Sequence, residues 1–276
     1  MRRLSVFCVD ARSLALSALS ALSIGAGVAL PCSAATDTPG SDAAPSVTPY
    51  RPSVSTPAAL SAPGWLEVEG GLLRVPGAGG ARRDSVPVTL KLAFTPDWGV
   101  RFGGDAWVRE RDSSGARLSG VGDSVVVLKR RFALDEASAF GLEGGATLRT
   151  GRSGIGSGSS DYSLNGIYSA DFGGDWHTDL NLVATRIGHS DPGAGRVQTL
   201  WAASLSRTLG DRWGVVGEFS GTHQRGVEGT AQFLAAASYN ISKSLVLDAG
   251  VAHSVRAGSA GWSLFTGFTV LAARLF

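Results

Sequence analysis

From Trp65 onward, the chain consists of short segments in which apolar and polar residues alternate. In residues 176–187, for example, Leu180 and Leu182 share one face while Asp179 and Asn181 share the other. Successive side chains of a strand point to opposite faces, so this period predicts strands with one apolar and one polar face. A tilted strand crosses a bilayer with about 9–11 residues. We predict twelve such strands, over residues 66–74, 85–94, 99–109, 122–132, 139–149, 161–171, 176–187, 196–207, 213–222, 230–240, 244–254 and 262–276.

The connections between these segments alternate in length, which separates a membrane barrel from a soluble sandwich of the same period. The tight connections read TPD, ALDEAS, FGGD, LGDR and ISK. Between them fall the mostly longer VPGAGGARRD, RDSSGARLSGV, GRSGIGSGSS, HSDPGAG, HQRGVEG and RAGSAG. Short turns at one end and longer loops at the other are typical of outer-membrane barrels. We therefore predict an all-β, antiparallel, up-and-down transmembrane β-barrel over residues 65–276.

Tryptophan placement supports the same prediction. Trp98, Trp176 and Trp213 each fall just after a tight turn, and Trp65 starts the first strand. Indole prefers the membrane interface because its ring is apolar and its N–H needs a partner. These four residues are expected to form an aromatic belt at one membrane edge, in contact with outer-membrane lipid.

The residues before the barrel divide into two parts. Residues 1–35 have two arginines at the start, an apolar run (SLALSALSALSIGAGVAL) and the small residues PCSAA, which together predict a secretory signal peptide. A single membrane anchor and a lipoprotein signal at Cys32 are the alternatives. Residues 36–64 are rich in Pro, Ser, Thr and Ala and are predicted to form an extended periplasmic arm. We prefer a disordered leader to the alternative, a plug that threads the lumen.

Removal of residues 1–35 excludes several classes of function. Both cysteines, Cys8 and Cys32, leave with this segment, so the mature chain has no thiol for a disulfide or a metal site. It keeps 22 basic and 22 acidic residues, a balance that gives no electrostatic basis for binding nucleic acid. No His, Asp and Glu spacing indicates a metal site. We expect no cofactor.

The polar face of the strands is the main functional prediction. A charge that faces lipid near the bilayer midplane costs about 2–4 kcal/mol, so charges of both signs at mid-strand are expected to face a lumen. They could form a selectivity ladder along an open pore or a salt-bridge network that fills a narrow one, and twelve strands lie between the filled and the open barrels. The predicted lumen-lining residues are Glu67, Glu69, Lys91, Arg101, Asp105, Arg109, Asp123, Lys129, Glu143, Arg149, Asp179, Asn181, Glu218 and Asp248.

The chain ends in the apolar-rich run GFTVLAARLF. Phe268, Val270 and Phe276 share one face of the last predicted strand, and Arg274 interrupts that face near the end, where it can snorkel. This pattern resembles the C-terminal signature that the barrel assembly machinery reads. We expect the last strand to pair with the first, because a bilayer allows no open sheet edge.

Five stretches from Tyr50 onward carry a resemblance to a known family: YRPSVSTPAALSAPGWLEVEGG, LKLAFTPDWGVRFGGDAWVR, GDSVVVLKRRFALDEASAFGLEGG, IGSGSSDYSLNGIYSADFGGDWHTDLN and DRWGVVGEFSG. They resemble Gram-negative outer-membrane transporter-like proteins named for a role in the meta-pathway of phenol degradation. The resemblance spans most of the chain from Tyr50 to the end. It implies a passive conduit for small solutes, including hydrophobic or aromatic compounds, and supplies no binding residues.

Histidines raise the question of an enzyme. His189 precedes Ser190 and Asp191, and His253 adjoins a serine, but sequence neighbours rarely converge into a catalytic triad and no nucleophile elbow is present. His177, next to a tryptophan, is interpreted as an interface residue. We predict a non-enzymatic outer-membrane channel for passive passage of small solutes. The alternatives are a closed structural or adhesive barrel acting through its loops and an outer-membrane lipid hydrolase.

Overall fold

A computed structural model describes residues 45–255 and 261–276. The predicted signal peptide, residues 1–35, and residues 36–44 of the predicted arm lie outside the described residues. The described chain has thirteen strands and one short 3-10 turn, Ala78–Gly80. The strands are β1 (Trp65–Pro76), β2 (Arg82–Ala93), β3 (Trp98–Arg111), β4 (Arg117–Gly120), β5 (Ser124–Ala133), β6 (Ser138–Leu148), β7 (Asp161–Phe172), β8 (Trp176–Arg186), β9 (Val197–Leu209), β10 (Trp213–Gln224), β11 (Val227–Ser242), β12 (Leu245–Ser254) and β13 (Trp262–Arg274).

Twelve of these strands form a closed antiparallel barrel, as predicted. Each pairs with its neighbour in the chain, and β1 pairs with β13 to close the ring. The exception is the four-residue β4, which pairs only with the far end of β3, so that β3 also pairs with β5. The sequence prediction missed β4 because its four residues (RLSG) lie within a predicted loop and are too short to show an alternating pattern. Among the described residues, no helix is long and apolar enough to cross a membrane.

The two ends of the barrel differ as the connection lengths predicted. The short-turn end carries residues 94–97, 134–137, 173–175, 210–212 and 243–244. The long-loop end includes residues 77–81, 112–123, 149–160 and 187–196. One predicted loop, HQRGVEG, is instead a tight hairpin in which Arg225 and Gly226 join β10 to β11. Gly226 has a φ of 76°, which favours glycine.

The outer face of the barrel is apolar. Alternation in burial is clearest in β9, and large apolar side chains such as Leu182 (65% exposed) and Leu72 (60% exposed) point away from the barrel. A sheet with exposed apolar side chains on its outer face needs a lipid environment, since soluble monomers rarely expose large apolar patches.

The four predicted interface tryptophans lie at the short-turn end, where they begin β1, β3, β8 and β10. The guanidinium of Arg130 lies 5.1 Å from the ring of Trp98, and that of Arg207 lies 5.2 Å from the ring of Trp176. The Trp213 ring packs against the Tyr239 ring, with centroids 4.8 Å apart and planes tilted by 58°. The sequence prediction did not assign a role to three further exposed tryptophans, which lie nearer the long-loop end: Trp107, Trp201 and Trp262.

Closure of the barrel brings the last strand against the start of the first. The Leu275 N–H donates to the carbonyl of Gly64 at 2.7 Å, just beyond the paired residues of β13. The Phe268 ring covers Gly70 of β1, where a Cβ would lie 2.9 Å from the ring. This pairing provides the closed edge that a bilayer requires. Recognition of Phe268, Val270 and Phe276 by the assembly machinery stays a prediction.

Candidate functional site: a polypeptide segment inside the barrel

Residues 45–64, here called the luminal segment, lie inside the barrel. The Val47 N–H donates to the carbonyl of Lys243 in a turn at the short-turn end. The segment then contacts wall residues of β10 and β8 and returns to the same end, where Pro63 bridges Ala93 and the Gly64 N–H donates to the Ala93 carbonyl at 2.8 Å. It therefore forms a loop that enters and leaves the lumen at the short-turn end.

This location overturns the preference for a disordered leader over residues 45–64 and agrees with the plug alternative. Ser53, Ser55 and Ala58 have no exposed surface, and Tyr50 is 3% exposed. The prolines do prevent regular strand pairing, as the sequence indicated. Polar side chains on the inner wall supply the hydrogen-bond partners instead, and burial comes from the wall rather than from the segment itself.

The first limb of the segment is held by two glutamates of β1. The Thr48 N–H donates to both carboxylate oxygens of Glu67, at 3.1 and 3.2 Å. The Tyr50 N–H donates to Glu69 Oε1 at 2.6 Å. Both carboxylates are buried, and hydrogen bonds to charged acceptors are among the stronger ones in proteins.

The tip of the segment is held by Glu218 of β10 and Asn181 of β8. Glu218 accepts hydrogen bonds from the N–H groups of Val54 and Ser55 and from the Ser55 hydroxyl, at 2.7 to 3.0 Å. The Asn181 side chain accepts from the Thr56 N–H at 3.0 Å and donates to the Thr56 carbonyl at 2.9 Å. Side chains of the wall thus form hydrogen bonds with the main chain of the segment.

Tyr50 contacts three wall cations. The Nζ atoms of Lys91 and Lys129 lie 4.2 and 4.4 Å from its ring centroid, and the Arg101 guanidinium lies at 5.6 Å. Desolvated cation–π contacts of this kind contribute about 2 kcal/mol or more. The Tyr50 hydroxyl donates to the Ala59 carbonyl at 2.7 Å, which ties the two limbs of the segment together.

The wall cations also pair with wall carboxylates. Lys91 bridges Glu67 and Glu69, at 2.9 and 2.7 Å. Glu143 forms ion pairs with both Arg101 and Lys129, each at 3.4 Å. These buried pairs agree with the salt-bridge-network alternative, although the network does not by itself fill the lumen, because the luminal segment occupies the space between its members.

A cluster of polar side chains around His177 supports the part of the luminal segment that runs back to the short-turn end. His177 lies between Asp171 and Asp179, with ring nitrogens 2.6 and 3.0 Å from their carboxylate oxygens. The Ser169 hydroxyl donates to Asp179 at 2.5 Å and accepts from the Ala58 N–H at 2.7 Å. The interpretation of His177 as an interface residue is therefore wrong. Its side chain is 11% exposed and faces the interior, since His177 is the second residue of β8 and points to the side opposite Trp176.

Arg109 does not line the lumen, contrary to prediction. A β-bulge places Asp105 and Trp107 opposite consecutive residues of β2 and shifts the alternation by one. Val108 is consequently buried, and Arg109 lies opposite Asp84 in the sheet register, on the outer face. The period-two pattern cannot reveal such an inserted residue.

Two other predicted lumen residues lie at the long-loop end. Arg149 is exposed and follows the last residue of β6. Asp123 is buried but precedes β5, and its carboxylate accepts from the Gly151 N–H at 2.8 Å and the Ser157 N–H at 2.6 Å. A Cβ on Gly156 would lie 2.5 Å from this carboxylate, so Asp123 organises the loop over residues 149–160.

The structure places the remaining predicted residues in the buried interior, and it adds others that the sequence prediction missed. Asn165 and Ser169 share the buried face of β7 and could have been found by continuing the alternation. Arg83 was assigned to a loop but belongs to β2, where it pairs with Asp105 at 2.9 Å. Sequence patterns gave no signal for the partners in the luminal segment.

Little free space remains beside the tip of the segment. A cavity of about 40 Å³ lies next to Val54, lined by wall residues that include Arg101 and Glu143. Such a volume holds a few water molecules at most. Residues 45–255 and 261–276 therefore leave little room for a solute at this level of the lumen.

The histidines proposed for a hydrolase do not form a catalytic arrangement. His189 is exposed on a loop. The His253 ring packs against the Trp262 ring at a tilt of 55°, with centroids 4.7 Å apart. On its other side His253 lies opposite the exposed Phe233 in the sheet. Within residues 45–255 and 261–276, no group of three or more His, Cys, Asp or Glu residues could hold a metal ion.

Replacement of Lys91 tests the wall network. Lys91→Met leaves the buried Glu67 and Glu69 without their shared cation, and breaking a buried pair costs about 3–5 kcal/mol. We expect the luminal segment to leave the wall, because hydration of the lumen relieves the two carboxylates. Limited proteolysis of the folded barrel with chymotrypsin should then cleave after Tyr50, whereas trypsin does not cut the Arg51–Pro52 bond. Arg74→Met, which removes an exposed ion pair with Asp84, is the matched control and should leave Tyr50 protected. Equal protection in Lys91→Met and wild type would contradict this role.

Comparisons with known proteins identify the fold. No protein-family model and no curated protein matches the chain. An outer membrane channel from Pseudomonas putida F1 superposes with a TM-score of 0.62 at 14% identity, over 77% of this chain and 97% of that one. The NanC porin gives 0.53 at 9% identity, over 75% and 100% of the two chains. The KdgM porin in complex with disordered oligogalacturonate gives 0.52 at 11% identity, over 75% and 99%.

Proposed function

We propose that this protein is a passive channel for small solutes in the outer membrane of a Gram-negative bacterium and that the luminal segment gates it. The observation that carries the proposal is which part of the chain fills the lumen. Charged wall side chains face inward, yet the space between them is occupied by a separate loop rather than by apolar wall side chains. Withdrawal of that loop would leave a polar, hydrated path, with the short-turn end facing the periplasm.

The contacts of the segment suit a removable gate. Most are hydrogen bonds to charged wall groups, which contribute about 1.5–3 kcal/mol each, and these groups regain water when they separate. Apolar packing is limited, and Ala58 with Ala139 and Ile167 forms one small buried cluster. The segment is thus held mainly by polar contacts that water in the lumen can replace, which allows an open state to be populated.

The class of solute is a further part of the proposal. Solved structures with a similar fold include a channel and porins, and one of these porins was solved with oligogalacturonate. The resemblance to the phenol-pathway family suggests hydrophobic or aromatic compounds as the first solutes to test in flux assays. We propose no enzymatic activity, and the barrel assembly machinery and outer-membrane lipid as partners.

A closed barrel that acts through its loops is the second candidate function. It is favoured by the small space left in the lumen and by the ordered loop around Asp123. Under this alternative the luminal segment is a permanent part of the core. The two functions differ in whether immobilising the segment changes solute flux.

An engineered disulfide between the segment and the wall tests whether immobilising the segment stops solute flux. A Cβ on Gly141 of β6 would lie 3.2 Å from the Cα of Ala58, so the two positions are adjacent. A small shift of the segment away from the wall brings the two Cβ atoms to the separation of about 3.8 Å that a disulfide needs. The mature chain has no native cysteine to interfere. We expect the oxidised Ala58→Cys/Gly141→Cys variant to show wild-type closed behaviour without openings, and reduction to restore discrete openings in a planar bilayer.

The single variants Ala58→Cys and Gly141→Cys are the controls, and both should be insensitive to reductant. Solute flux that is identical in the oxidised and reduced double variant would reject gating by the segment. Absence of flux in wild type and in both redox states of the variant would favour the closed barrel.

A further inference from the structure

Arg51 occupies a site on the wall that is shaped for a guanidinium group. Its Nε and Nη2 atoms donate to the two carboxylate oxygens of Asp248, at 3.1 and 3.0 Å. The group lies against the paired Gly71 and Gly267 of β1 and β13. A Cβ on Gly267 would lie 2.5 Å from Nε, and one on Gly71 would lie 2.9 Å from Nη2. Any larger residue at either position would push the guanidinium away.

Two buried carboxylates of the wall depend on the luminal segment for their partners. Glu218 and Asp248 take their partners mainly from the luminal segment, through the main chain at Val54 and Ser55 and through Arg51. The central wall cations instead have wall carboxylates as partners, so their charges stay compensated when the segment leaves. These pairs join Lys91 to Glu67 and Glu69, and Arg101 and Lys129 to Glu143.

Withdrawal of the segment therefore makes the net charge of the lumen more negative. It removes a guanidinium from Asp248 and several N–H donors from Glu218, and it leaves both carboxylates facing the path. A lumen lined by uncompensated charge of one sign attracts counter-ions of the other sign.

We propose that Asp248, with the bare backbone of Gly71 and Gly267, forms a binding subsite for cationic solutes, and that Arg51 fills it while the channel is closed. The solutes that fit best carry a guanidinium group, because a planar fork matches the carboxylate and can lie flat on the glycine backbone. Ammonium groups bind as point charges and fit less specifically. This inference rests on the proposed channel function and assigns a solute class to it.

A pair of variants separates the subsite from the gate. Arg51→Ala and Asp248→Asn break the same ion pair from opposite sides, so both should raise the open probability of the channel. Arg51→Ala keeps the wall carboxylate, and its open state should prefer potassium over chloride by at least about threefold in reversal-potential measurements. Asp248→Asn should lose most of that preference. Asp211→Asn removes an exposed carboxylate at the short-turn end and should change neither property.

Methylguanidinium provides a direct probe of the subsite. Added at millimolar concentration, it should interrupt potassium current through Arg51→Ala and leave current through Asp248→Asn unaffected. Equal selectivity and equal response in the two variants, or a preference of Arg51→Ala for chloride, would overturn the proposal.

Binding can also be measured without any current. Calorimetric titration of methylguanidinium into refolded Arg51→Ala should give saturable binding that disappears in the Arg51→Ala/Asp248→Asn double variant. Saturable binding in neither variant, or in both, overturns the subsite. If no variant conducts ions but Arg51→Ala binds methylguanidinium, the channel function fails while the cation subsite stands.

Discussion

Deletion of residues 45–60 is expected to raise single-channel conductance at least about tenfold, because a lumen that holds a few waters becomes a continuous aqueous path. The deletion removes Tyr50, Arg51 and the tip that binds Glu218, and it retains Pro63 and Gly64, which pair with Ala93 at the start of the barrel. The barrel itself should persist, since its twelve strands pair with one another and not with the deleted residues.

Two measurements make this prediction decisive. Faster migration of the unboiled protein in detergent gels reports that the deletion variant still forms a barrel. A second variant, with residues 45–60 replaced by Gly and Ser at equal length, shows whether the sequence of the segment or only its volume closes the lumen. We expect the replacement to conduct almost as well as the deletion, because it lacks every side chain that holds the segment. A folded deletion variant with wild-type conductance would mean that wall side chains collapse into the lumen.

Arginine substitutions at two consecutive positions of β8 should have sharply different effects. Leu182 is 65% exposed on the outer face, whereas its neighbour Val183 lines the internal cavity beside Val54. An arginine that faces lipid near the midplane costs about 2–4 kcal/mol. Leu182→Arg should therefore lower the free energy of unfolding in lipid vesicles by that amount and reduce the yield of inserted protein.

Val183→Arg is the matched control, with the same side chain introduced one residue away. Its guanidinium enters an interior that contains Glu143 and Asp161, and its bulk displaces the tip of the luminal segment beside Val54. We therefore expect little loss of barrel stability and a change in conductance instead. Denaturant titration of both variants in the same vesicles supplies the comparison. Equal losses of stability would indicate that the two faces of β8 have similar surroundings, which contradicts a lipid-facing outer surface.

Strand positions were largely predictable from local sequence because period-two alternation is a property of neighbouring residues. The predicted segments over residues 176–187 and 213–222 correspond closely to β8, Trp176–Arg186, and β10, Trp213–Gln224. The inward placement of Glu143 and Asp179 follows from the same alternation. The method failed at Arg109 because the bulge before it inserts one residue, and only pairing with β2 exposes that insertion.

The amino-acid sequence by itself determined that the chain forms twelve amphipathic strands, that short turns and long loops lie at opposite ends, and that charges face inward. Each of these properties depends on residues close together in the chain. Only the tertiary structure decided what occupies the lumen. The partners that hold the luminal segment come from distant strands, as Arg51 with Asp248 and Ser55 with Glu218 show. A proline-rich segment without a pattern of its own acquires a fixed conformation only when the closed barrel brings those side chains around it.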